Sequence, residues 1–203
     1  MKYKSIFKLC LLTTFLSVAT ISCDDWTEME IHDSQVNGFK EQNPQEYAVY
    51  TQNLRAYKAT KHAVVYARLD NAPEVSTGEK DFLRALPDSI DIVTMRNADR
   101  LSEYDREDMK LVREDYGTKV LYYIDCTAKD KLNTSITSAV EAVCTGTFDG
   151  IALGSEGSAV DVSALKSLLD ALGQTPCLLV FEGTPSLLPE AQRSLFNLSL
   201  IHI

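Results

Sequence analysis

The chain has 203 residues, 45% of them apolar and 24% charged, enough for one ordinary domain with a sizeable core. Its formal net charge is -9, and the first 22 residues hold Lys2, Lys4 and Lys8 but no acid, so the remainder is more acidic still. A polyanion of that kind is repelled by nucleic acid and by anionic lipid heads, which excludes both as partners.

Residues 1–22 have the layout of a targeting segment. "MKYKSIFK" is basic, and "LCLLTTFLSVATI" is an apolar stretch too short and too abruptly ended for a transmembrane helix. Ser22 before Cys23 resembles a bacterial lipoprotein cleavage site, although Thr20 stands where Leu, Val or Ile is usual. The resemblance implies that Cys23 is lipidated. Without it, the segment is an ordinary signal peptide or a retained anchor helix. Asp24, Asp25, Glu28, Glu30 and Asp33 follow, similar to the acidic export signal of Bacteroidetes surface lipoproteins. That similarity implies an outer-membrane, cell-surface location. Composition alone predicts a solvated tether.

Within residues 23–60, "NPQEYAVYTQNLRAYKAT" predicts a helix. Tyr47, Tyr50, Leu54 and Tyr57 share one stripe and are expected to pack against the domain. A rhythm begins at residue 61. "HAVVYARL" (62–69) predicts a strand, "TGEKDFLRAL" a short helix with Phe82, Leu83 and Leu86 on one face, and "IDIVTM" (90–95) a second strand. Ser102 with Asp105 three residues on predicts a helix cap, Met109, Val112 and Tyr116 continue that helix, and Gly117 ends it. "KVLYYID" (119–125) is a third strand, followed by a helix on Ile136, Ala139, Val140 and Val143. "FDGIAL" (148–153) is a fourth, followed by a helix on Leu165, Leu168, Leu169 and Leu172. "CLLVFE" (177–182) is a fifth, and "LLPEAQRSLFN" opens a fifth helix.

Alternating strands and helices, with strands that are nearly continuous apolar runs, predict an α/β fold: a parallel sheet covered by helices. A doubly wound sheet and a (β/α)8 barrel both satisfy the pattern. No G-x-G-x-x-G or P-loop follows the first strand, so no nucleotide cofactor is expected. Cys126, Cys144 and Cys177 lie in apolar surroundings and are expected to be buried thiols, with a disulfide left open. His32, His62 and His202 are scattered, and no metal-ligand spacing is present.

"DGIALGSE", Asp149 to Glu156, lies at the fourth strand and resembles the D-G-x-D-x-D-x-E signature of glycoside hydrolase family 18, the chitinases and endo-β-N-acetylglucosaminidases. "LPDSIDIVTM", "GTKVLYYID" and "CLLVFEGTPSLLP" look like the family's Bacteroidetes lipoprotein branch. The resemblance covers about His62 to Pro189. It implies the first five βα units of an incomplete (β/α)8 TIM barrel, spanning residues 61–197. A closed barrel needs eight strands and usually about 250 residues, so the sequence is expected to be a fragment. "LSLIHI" (198–203) resembles the translation of a sequencing adapter and is expected to be non-native; the alternative is a sixth strand.

The resemblance implies roles as well. In the family, the motif's last Asp holds the substrate's acetamido group, whose oxygen attacks the anomeric carbon, and the Glu protonates the leaving oxygen. Here Asp149, Gly150 and Glu156 match, but the two middle acids are Ala152 and Gly154. The family's S-x-G-G element would fall at "YIDC", Tyr123 to Cys126, and is also gone. Glu156 is therefore the candidate catalytic residue. Asp125 and Glu182, at predicted strand ends, are candidate substrate-binding acids able to stand in for the missing one. Asp149 is a candidate binding residue, or a structural one that satisfies loop amides. Glu156 is otherwise a solvated acid in a turn, or an acid at the start of the next helix. Asp70 and Asn71 could meet a sugar hydroxyl but fit a plain turn.

Three functions follow. The first is a surface lipoprotein binding N-acetylglucosamine-containing glycans as a degenerate hydrolase, beside a neighbouring uptake system. The second is an active endo-acting hydrolase with rearranged acids. The third is a non-catalytic structural partner in an outer-membrane glycan-uptake complex.

Overall fold

The computed structural model describes residues 38–71 and 78–200. The expected leader, Cys23 and the acidic run to Asp33 lie outside the described residues. The chain divides into two units, Met1–Asn43 and Pro44–Ile203. Of the first, one helical turn, Phe39–Gln42, is described.

The second unit is built on six strands: β1 (Tyr66–Leu69), β2 (Ile92–Met95), β3 (Lys119–Asp125), β4 (Gly150–Gly154), β5 (Leu178–Glu182) and β6 (Leu198–Leu200). All are parallel, and their order across the sheet is their order in sequence. A doubly wound sheet reverses direction at a switch point. This one never reverses, so the choice left open by the apolar pattern falls to the barrel, present as an open wall with β1 and β6 at its edges. Asn197 sets β6 in register: its backbone N–H donates to the Leu179 carbonyl (2.8 Å), and its Oδ1 accepts from Leu179 N (2.8 Å).

Among the described residues of this unit, four α-helices accompany the strands: α1 (Pro44–Lys58), α2 (Glu103–Glu114), α3 (Lys129–Cys144) and α4 (Val162–Leu172). Strand side chains alternate between faces, which sorts the core into two clusters. The outer one packs Val93, Tyr122, Ile151 and Phe181 against Met109 and Val112 of α2, Ile136 and Ala139 of α3, and Leu165 and Leu168 of α4. The inner one is Ile92, Leu121, Ala152 and Val180, flanked by Tyr66, Tyr123, Leu178 and Leu198. Each Val, Leu or Ile side chain fully buried there contributes about 1.5–3 kcal/mol. Gly150 permits the tight approach of β4 to β5, because a Cβ there would collide with the Leu178 backbone.

The expected cap of α2 is present as a reciprocal box: Asp105 N donates to Ser102 Oγ (3.1 Å), and Ser102 N donates to Asp105 Oδ2 (2.8 Å). Two expected helices are instead pairs of 3-10 turns, Glu79–Asp81 with Leu83–Ala85, and Pro185–Leu187 with Glu190–Leu195. The first segment is too short to repay helix nucleation, and Phe82 breaks it with an extended backbone. The second is interrupted by Pro189, which holds Leu188 extended.

The tyrosine stripe of α1 is also corrected. Tyr47, Thr51, Leu54 and Lys58 turn toward the domain, while Tyr50 and Tyr57 stay exposed. The docking is polar. Tyr47 donates to Asp115 (2.7 Å), and Lys58 Nζ donates to the carbonyls of Asp88 and Ile90 (2.6 Å each) and to Thr118 Oγ1 (2.9 Å). Of the cysteines, Cys126 is buried, Cys177 half-buried and Cys144 exposed at the last turn of α3, so the expectation of three buried thiols fails at Cys144. All three are free thiols.

Candidate functional site

In a barrel of this kind chemistry gathers at the C-terminal ends of the strands. β3, β4 and β5 end there in one register row: Asp125 pairs with Gly154, and Gly154 with Glu182. With strands about 4.8 Å apart, the two acids flank Gly154 directly. Each lies two residues beyond an inner-cluster position (Tyr123, Ala152 and Val180), so all three face the concave side. The structure thus brings Asp125 and Glu182 to the same mouth, as expected, on either side of Gly154, where the motif resemblance would place an acid.

The two acids differ in setting. Glu182 is 5% exposed. Its Oε1 accepts the Tyr66 hydroxyl, which is also bonded to Thr94 Oγ1, and its Oε2 pairs with Arg68 Nη1 at 3.2 Å. Burial, then the Glu182 hydrogen bond, pushes the Tyr66 phenol far above its ordinary range, so it stays a donor. Asp125 is exposed, and its Oδ1 accepts from Thr127 N (2.8 Å) and Thr127 Oγ1 (2.6 Å). Its other oxygen accepts no hydrogen bond among the described residues.

Glu156 lies two residues beyond Gly154, exposed in the bend after β4. Among the described residues it makes no hydrogen bond or ion pair. Nor does it serve the following helix, whose N-cap is Asp161, accepting from Ser163 N (2.8 Å) and Ala164 N (3.0 Å). That role for Glu156 is excluded, and its side chain stands exposed on the rim.

Asp149 does not join them. It precedes β4 and sits at the opposite, N-terminal rim. Its carboxylate receives Arg113 Nε (3.0 Å), Arg113 Nη2 (3.2 Å) and Val120 N (3.0 Å), with Lys119 Nζ at 3.7 Å. Of its two readings, the structural one fits this placement and the binding one does not. A groove of about 510 Å³ also opens at that rim, between Arg106, Lys110, Arg113 and Lys119, away from the mouth. Asn71 is wholly buried, clamping β1 to β2 by accepting from Asn97 N (2.9 Å) on its Oδ1, so it serves the turn. Asp70 is exposed at that turn beside Arg96.

Three residues of the mouth were not singled out from sequence: Tyr66, Arg68 and Tyr123. The signal was a charged residue, Arg68, inside an otherwise apolar strand. Arg68 also lies over the Tyr123 ring, 5.9 Å from its centroid. Among the described residues no cluster of His, Cys, Asp and Glu could hold a metal ion.

The chain is similar in fold to the selenomethionine form of BT1044 carrying a Glu-to-Gln substitution, with a TM-score of 0.61 at 17% identity, covering 79% of this chain and 63% of that one. It also matches an endo-beta-N-acetylglucosaminidase from Cordyceps militaris in apo form, with a TM-score of 0.49 at 19% identity, covering 66% and 54%. The chain therefore spans less than two thirds of either structure. No curated protein matches it. The model of glycoside hydrolase family 18, BT1044-like, matches residues 27–145, more than half of the chain and ending just before β4. By that match the chain belongs to glycoside hydrolase family 18, in its BT1044-like group.

Proposed function

We propose that this chain is a glycan-binding member of its family whose hydrolytic site has degenerated, and that its ligands are N-acetylglucosamine-containing glycans. The observation that carries the reading is the row Asp125–Gly154–Glu182. The position that should orient an acetamido group and stabilise the developing positive charge has no side chain. Loss of such a transition-state partner costs orders of magnitude in rate. Glu182 cannot replace it without leaving Tyr66 and Arg68, and Glu156 is exposed rather than enclosed as a general acid requires. A second reading, an active hydrolase with rearranged acids, draws support from the open oxygen of Asp125.

The proposal includes the lipid anchor at Cys23, a place on the outer-membrane surface and neighbouring uptake proteins as partners. Its support there is the cysteine and acidic layout of residues 22–33. A Cys23→Ala variant that still incorporates fatty acid would overturn the anchor.

The test of function is to incubate the protein with an N-acetylglucosamine tetramer and a high-mannose N-glycan, following binding and release together. Binding without release is expected. Release abolished by Glu156→Gln or Asp125→Asn establishes the active reading. Binding to neither glycan leaves the structural-partner role.

A further inference from the structure

The space above Gly154 is not empty. A Cβ on Gly154 would overlap the Tyr123 hydroxyl and the adjoining ring carbons, well inside van der Waals contact. Tyr123 sits on β3 beside Ala152 in register and leans toward the strand end over Gly154. The Arg68 guanidinium lies over its ring, and Arg68 is itself tied to the buried Glu182 carboxylate, which favours that orientation. A carboxylate at 154 and the phenol of Tyr123 are therefore alternatives.

Tyr66 and Tyr123 both line the concave face, but in different states. The Tyr66 hydroxyl is engaged by Thr94 and Glu182. The Tyr123 hydroxyl has no hydrogen-bond partner among the described residues, and its side chain is half-buried. We propose that Tyr123 is the ligand-facing, specificity-determining residue at the centre of this mouth, presenting a neutral hydroxyl from the seat that a residue-154 side chain would fill. It accepts from a sugar hydroxyl or amide, or donates to an acetamido oxygen. Burial, then the charges of Asp125 and Glu182, push its phenol up to about 12, so it remains protonated at neutral pH. A neutral phenol hydrogen-bonds a resting acetamide but offers no charge to an oxazolinium-like cation. Binding is thereby retained where catalysis is not. The inference rests on the glycan-binding reading above.

Two measurements on the full chain test it. In the first, Gly154→Ala is made with Tyr123 present and in a Tyr123→Ala background, and both are melted. Gly154→Ala is expected to lower the melting temperature by several degrees beside Tyr123 and to be close to neutral without it. Equal shifts in the two backgrounds overturn the shared seat. Should Tyr123→Ala fail to fold, Tyr123→Leu replaces it, since the smaller chain also vacates the hydroxyl position. In the second, calorimetry with the N-acetylglucosamine tetramer compares wild type with Tyr123→Phe. An affinity loss of about fivefold, the worth of one ordinary hydrogen bond, is expected at unchanged melting temperature. Unchanged affinity overturns the contact while leaving the binding reading intact. A wild-type chain that binds no tetramer overturns the binding reading and the contact together, and the melting comparison still decides the shared seat.

Discussion

Tyr66 on β1 donates its hydroxyl to Glu182 on β5, four strands away across the concave face. In a flat sheet that separation is about 19 Å, four strand spacings, too far for these two side chains to meet. The bond exists because the sheet curls, so it is a local marker of barrel curvature as well as a mouth contact. Removing the hydroxyl leaves a buried carboxylate with Arg68 as its remaining partner. Tyr66→Phe is expected to destabilise the chain by about 1–3 kcal/mol, and Tyr66→Phe with Glu182→Gln by less than the sum of the two single changes. Urea denaturation of the three variants measures this, and additive effects would mean that the two groups are energetically independent.

Asp149, which matches the first position of the resembled motif, lies at the other rim, where it ties Arg113 of α2 to the start of β3 through Val120 N. Asp149→Asn retains shape but loses the charge that two arginine nitrogens and one lysine share. A loss of about 1.5–3 kcal/mol is expected, with glycan affinity unchanged. A drop in affinity at unaltered stability would return Asp149 to the binding site.

How much of this was legible follows from particular residues. β3 was read residue for residue as Lys119–Asp125, because Gly117, at positive φ just beyond the preceding helix, separates the two elements and the apolar run is unbroken. α2 was legible through its reciprocal Ser102–Asp105 cap. The parallel sheet followed from alternation, and the barrel, with its sequential strand order, from resemblance. The inward-facing trio Tyr66, Arg68 and Tyr123 was hidden, since strands covered on both faces lose the alternation that would separate inside from outside. The inner face of α1 was hidden for a different reason. Lys58 and Tyr47 turn inward to reach carbonyl and carboxylate acceptors, and a hydrophobic period cannot register a face held by polar bonds. At the candidate site, sequence supplied the row of acids but not the ring that fills the gap between them.

His62 precedes β1 with acceptors on both ring nitrogens: Nδ1 lies 2.7 Å from the Thr60 carbonyl and Nε2 2.9 Å from Asp91 Oδ1. Only the imidazolium can donate to both. The Asp91 hydrogen bond, then that of Thr60, raises its pKa above the ordinary 6.5. A raised folded value means that the stabilisation is complete below the unfolded pKa of about 6.5 and is lost as pH rises through the higher folded one. Urea midpoints should therefore fall between pH 6 and pH 9 by more in the wild type than in His62→Gln. Equal slopes in the two proteins would remove His62 from the account.

Glu156 is the residue on which the activity question turns, and its setting makes the experiment clean. It is exposed and, among the described residues, without a hydrogen bond or ion pair. Glu156→Gln should leave folding stability within about 0.5 kcal/mol, the range of ordinary surface changes. A change in function would then report chemistry and not folding. If the mouth only binds, Glu156→Gln keeps tetramer affinity within a few-fold and no product appears from either protein. If Glu156 is a working general acid, the wild type releases product and the variant loses release by orders of magnitude while still binding, since an amide cannot protonate the leaving oxygen. Asp125→Asn separates the remaining cases. It abolishes release only if Asp125 supplies the carboxylate that Gly154 lacks, which its place in the row permits and its contact with Thr127 does not prevent.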